Sequence, residues 1–134
     1  MHRFYALAVV ATFSLASPAA ADDTSYIAQN GMTVHASGPN NIVVPMRGHA
    51  GSSDFWCAAG DFVHYRLRVP TKQILYRVSE PPKPSGAPIV FSLRPEDSAS
   101  STGVTVFGGP GGGGMKVGTA LGFCESSHPL RPRR

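Results

Sequence analysis

Two cysteines, one tryptophan and a charged fraction of 15% are the scarcities of this 134-residue sequence. Two cysteines cannot build a disulfide-dense mini-protein or a four-ligand zinc site. Charged residues usually make up about a quarter of a globular chain, so no broad single-sign field is expected. No N-x-S/T sequon occurs, and no internal repeat is present. Beyond the first 21 residues no segment is long and apolar enough to span a bilayer. Glycine (15) and proline (12) are plentiful. They exclude a mostly helical bundle and favour short elements joined by turns. The apolar share of 42% is too high for a disordered chain, and the length suits one domain.

The start reads as an export signal. Met1-His2-Arg3 is weakly basic, and Phe4 to Ala16 is a nearly unbroken apolar run. At about 1.5 Å per residue that run spans only ~20 Å, short of a ~30 Å hydrocarbon core. Ala19 and Ala21 satisfy the A-x-A cleavage rule, so residues 1–21 are expected to be removed before Asp22-Asp23. The protein is then exported, periplasmic or secreted. Without Arg3, eleven Lys and Arg face eight Asp and Glu. Arg131, Arg133 and Arg134 supply the whole excess, and residues 22–130 carry eight charges of each sign. A balanced body argues against nucleic-acid binding. The basic tail, 128–134, is expected to be disordered, able at most to touch anionic surfaces weakly.

Between these ends the pattern predicts one α+β domain over 40–127, preceded by an N-terminal extension over 22–39. A small, mostly antiparallel sheet is expected from Met32–His35, Ile42–Val44, Gln73–Ser79, Ile89–Leu93 and Val104–Phe107. Pro45 suggests that the second of these lies at an edge or a bulge. The main helix spans about 53–69, capped by Ser52 or Ser53 and stopped by Pro70. Phe55, Trp56, Ala58, Ala59, Phe62, Val63 and Leu67 share one broad face, expected on the sheet strands near Ile74–Val78 and Ile89–Leu93. Asp54, Cys57, Asp61, His64 and Arg68 form a polar stripe on the other side. Gly60 is a position for close packing. Residues 115–124 fit both periods, with a short helix preferred.

Cys57 and Cys124 are expected to pair, because cysteine pairs in exported chains usually do. The C-terminal segment then returns across the outer side of the helix. The alternative reading makes Cys57 the nucleophile of a cysteine-dependent hydrolase, placed where a helix dipole lowers a thiol pKa. Asp61 and His64 share its stripe, but His64 lies about 10 Å further along the axis, and the remaining late histidine is His128. Met32-x-x-His35 and Met46-x-x-His49 offer soft ligands for Cu(I), hence a second alternative, a periplasmic copper-binding protein. The His35–Met46 spacing matches only the first half of a copper-chaperone motif; Arg68 and Pro70 stand where its second half belongs. Gly109 to Gly114 formally matches G-x-G-x-x-G, but too little chain follows for a dinucleotide-binding unit, so an exposed loop is expected. No catalytic, cofactor-binding or metal residue is assigned.

Asp54-Phe-Trp-Cys-Ala-Ala-Gly-Asp61, with Phe123-Cys124 near the end, resembles a group of small uncharacterised exported bacterial proteins. The resemblance covers roughly 40–124 and rests mostly on W-C-A-A. It implies export, the disulfide and an α+β domain, and no activity. The expectation is a non-enzymatic binding or structural module.

Overall fold

The computed structural model describes residues 25–126. The expected leader 1–21, the expected cleavage site and residues 128–134 lie outside the described residues. The β-branched run at 41–44 forms the centre of the sheet. Strands β1 (Tyr26–Ile27), β2 (Thr33–Ser37) and β3 (Asn41–Val44) precede helix α1 (Ser52–Asp61). A π-helical turn (Phe62–Arg66), β4 (Ile74–Arg77), β5 (Ile89–Ser92), β6 (Gly114–Lys116) and helix α2 (Val117–Ser126) follow. The six strands run β1-β2-β3-β5-β4-β6, every neighbouring pair antiparallel. The fold is α+β, as the sequence predicts.

Several local expectations change. The 22–39 stretch, in its described part, contributes β1 and β2 to this sheet. The turn Ser37-Gly38-Pro39-Asn40 makes β2 and β3 a hairpin, with Ser37 opposite Asn41. β3 lies inside the sheet, between β2 and β5; Pro45 follows its last paired residue, Val44, and so owes no N–H to a ladder. Val104–Phe107 is not a strand, because β6 already occupies the free edge of β4. The dual period of 115–124 has a physical origin: Met115 and Lys116 complete β6, and α2 begins at Val117. The glycine run is exposed only as far as Gly112. Gly113 and Gly114 are buried against β4, where Arg77 N–H donates to Gly113 O at 2.8 Å.

The main helix is shorter than its period suggests. Ser52 and Ser53 are its first residues and do not cap it. Gly51 is the N-cap, and its N–H donates to Asp54 Oδ2 at 2.9 Å. After Asp61 the hydrogen bonds lengthen, with Leu67 N–H reaching Phe62 O, and the chain leaves through Arg68 at φ 61°. A left-handed residue just past a helix end is a usual terminator, so the helix stops before Pro70 acts.

α1 packs against β2 and β3 and reaches β5 through Trp56, whose ring meets Phe91 edge-on at 4.8 Å; it is not centred on β4 and β5. α2 lies along another side of it. Residues 55–61 are all buried: Cys57 is covered by the C-terminal segment, as the expected disulfide requires, whereas Asp61, which the polar stripe had placed in solvent, lies against Tyr26 and Gln29. Gly60 is the contact point: a Cβ there would sit 2.9 Å from the Ala120 Cβ. Among the described residues no helix is long and apolar enough to cross a membrane.

Candidate functional site

The residues that sequence reasoning singled out for chemistry meet different fates. Cys57 and Cys124 form a disulfide between α1 and α2, with Cα atoms 4.9 Å apart, inside the usual 4.4–6.8 Å window. Both are buried. The Cys57 sulfur is thereby spent, and the stripe is divided: Asp61 is buried against Tyr26 and Gln29, Asp54 is half-buried and Arg68 is exposed. His64 turns away from it: Nδ1 contacts Val69 O at 2.9 Å and the ring stacks edge-on with Tyr65. His128 lies outside the described residues.

Asp61 is a buried anchor. Its Oδ2 accepts from Tyr26 Oη at 2.8 Å and from Gln29 N–H at 3.1 Å, and its Oδ1 accepts from Gln29 Nε2 at 2.9 Å. The helix thus holds the β1 segment through one carboxylate. Burial, then the Asp61 hydrogen bond and charge, push the Tyr26 phenol up to about 12.

The four candidate copper ligands do not converge. Met32 and His49 line a shallow depression with Asn30, Arg47 and Asp54, while His35 and Met46 do not line it. Met32 is only 2% exposed. Among the described residues no group of three His, Cys, Asp or Glu side chains is placed to hold a metal ion.

A different cleft, of about 550 Å³, opens at the N-terminal end of α1, within the ~300–1,000 Å³ range of small-ligand sites. Ala50, Gly51 and Ser52 form one wall, Pro81, Pro82 and Lys83 another, and Ser101 and Gly103 a third; Phe55 and Arg77 also line it. The loops are fixed by shared bonds. The Thr102 carbonyl accepts from Trp56 Nε1 at 2.9 Å and from Arg77 Nη1 at 3.3 Å. Ala99 N–H donates to Arg77 O at 2.7 Å. Lys83 Nζ stands 5.6 Å over the Phe55 ring, a cation–π arrangement.

Arg77 is the unusual member. It is 1% exposed, and arginine is almost never fully buried unless paired. Nε donates to Ser79 O at 2.7 Å and Nη1 to Thr102 O. Among the described residues no acceptor is bonded to Nη2, and no carboxylate forms an ion pair with the guanidinium. Burial lowers its pKa from the ordinary value, while the Glu80 charge acts the other way. Glu80 is itself engaged by Ser100, through N–H and Oγ, which holds its carboxyl below the usual range. Gly103 makes room for the arginine, since a Cβ there would collide with Nη1. Sequence reasoning missed this residue. The signal was present in the alternation of β4, where Leu75 and Arg77 share one face and Leu75 is wholly buried.

Neither a family model nor a curated protein nor a solved structure matches this chain.

Proposed function

We propose that the protein is a small exported, non-enzymatic binding module that holds a ligand in the cleft at the N-terminal end of α1. The observation that carries this reading is Arg77: a buried cation in the lining of an open cleft that, among the described residues, has no carboxylate ion pair and no acceptor at Nη2. Burying an unpaired charge is costly, and a cleft that admits a partner offsets that cost when occupied. Two further facts support it. The disulfide removes the thiol that hydrolase chemistry would need, and disulfides persist in oxidising compartments. The balanced body charge gives a nucleic acid little to hold.

The test is amide chemical-shift mapping of the folded, disulfide-bonded protein against fractions of an envelope extract from the source organism. A saturable response at Ser52, Phe55 and Gly103, with Thr119 and Glu125 of α2 unmoved, supports the reading. A native protein that titrates a free thiol and cleaves peptide or ester substrates would overturn it, as would the absence of any responding fraction. Export is checked separately by N-terminal sequencing of the protein from the exported fraction, where Asp22 is the expected first residue.

A further inference from the structure

We infer that the ligand of this cleft is an organic phosphate, its phosphoryl group held between Arg77, Lys83 and the first turn of α1 and its uncharged body against Ala50, Pro81 and Pro82; this rests on the binding-module reading above. The donors around the cleft are cationic or N–H groups of three different elements. Arg77 contributes Nη2 from β4. Lys83 contributes an ammonium from the proline-rich connection between β4 and β5. α1 is ten residues long and ends here with the leading N–H groups that a helix cannot satisfy internally. Such termini attract anions, phosphate above all. Ser52 and Ser101 add hydroxyls to the lining.

The spread of the donors selects among anions. Nε and one N–H of Nη1 are committed to Ser79 O and Thr102 O, which leaves one N–H on Nη1 and two on Nη2. Donors from three elements suit a tetrahedral oxyanion with three free oxygens better than a two-oxygen carboxylate, and a lysine serves phosphate as a point charge. The nearby acids are occupied. Asp54 accepts from Gly51 N–H and lines the neighbouring Met32–His49 depression, and both Glu80 oxygens meet Ser100. The accessible remainder of the lining is apolar: Pro81, Pro82 and Ala50. An inorganic ion would leave that surface unused, whereas an organic body would cover it.

The probes are phenyl phosphate, inorganic phosphate and phenylacetate, titrated at constant ionic strength into the folded protein, with amide shifts as readout. Phenyl phosphate is expected to give saturable shifts at Ser52, Ser53, Ser101 and Gly103, binding roughly fivefold or more tightly than either other probe. Lys83→Gln is expected to weaken it by about fivefold or more. That lysine makes only an exposed bond to Pro84 O and its ring contact, so the fold persists; Arg77 is left intact because its backbone and side chain hold two loops. Equal binding of phenylacetate reassigns the cleft to carboxylates and overturns the inference. Equal binding of inorganic phosphate overturns the organic body. An unaffected Lys83→Gln variant, or no saturable shift, also sinks it. If an extract fraction moves the cleft amides while phenyl phosphate does not, only the phosphate assignment fails; if neither does, the binding reading fails with it.

Discussion

Asp61 and Arg77 are two buried charges of opposite sign, one at each end of α1, and their surroundings differ. Asp61 accepts three hydrogen bonds from the β1 segment. Arg77 donates from two nitrogens, has no acceptor at the third among the described residues, and lines an open cleft. The C-terminal half of the helix is closed by Asp61, the disulfide and the Gly60–Ala120 contact. Its N-terminal end is bordered by loops. A buried charge whose bonds are complete fixes structure; one whose bonds are incomplete beside a cavity is available to a ligand.

The contrast can be broken first at the closed half. The disulfide joins residues 67 apart, and the chain-entropy estimate for such a loop is about 4 kcal/mol. Cys57→Ser and Cys124→Ser are each expected to lose up to that amount in urea unfolding, and the double variant little more than either, because one bond is lost in all three. Strict additivity would show that the two residues act independently. Next in size is Asp61→Ala. Removing a buried acceptor of three donors is expected to destabilise by about 3 kcal/mol. Amide hydrogen exchange should quicken at Gln29 and around β1 while Trp56 and Thr102 keep their protection. Equal loosening of both ends would dissolve the distinction between them.

Alkaline pH offers a finer probe. The Tyr26 phenol is raised in the folded state from 10.0 to about 12, so folding favours its protonated form. That contribution is whole below pH 10 and is lost as pH rises through 10 to 12. Denaturant midpoints of the parent should therefore fall over this window more than those of Tyr26→Phe, which has no phenol to ionise. Matching pH profiles would contradict the link to Asp61. The smallest expected effect lies at Arg68, which adopts φ 61° where the π-helical turn ends. Arg68→Gly relieves that backbone and is expected to stabilise by about 0.5–1 kcal/mol, after the entropy that glycine adds to the unfolded chain. A lowered melting temperature would instead give the arginine side chain a role in holding the turn.

The parts legible in the sequence are those encoded locally. Alternation marks β4 and β5, the β-branched run marks β3, and the cysteine pair with the preceding apolar face marks the α1–α2 link. The misreadings arise where a partner distant in sequence changes an element's surroundings. Asp61 looks solvated from the period of α1 alone, because nothing within 53–69 announces that Tyr26 and Gln29 will pack on it. Val104–Phe107 has strand composition, yet the place beside β4 goes to β6. The cleft was invisible for a related reason. Its walls come from 50–55, 77, 81–83 and 101–103, four stretches without a shared motif, and its distinctive residue sits in a strand where a charge at an inward position reads like an outward one.

The placement of β6 and α2 also sets an order in time. A polypeptide emerges with its N-terminus first, so α1 and the strands β2 to β5 are available well before residues 114–126 exist to meet them. Until then β4 presents an unpaired edge, a recognised template for aggregation, and the flank of α1 around Cys57 and Gly60 lies bare with an unpaired thiol. The late segment closes both exposures at once, β6 on the strand edge and α2 on the helix, and the bond to Cys124 then records that closure covalently. A chain shortened to end before residue 114 is therefore expected to leave the β4 edge and the Cys57 flank of α1 uncovered.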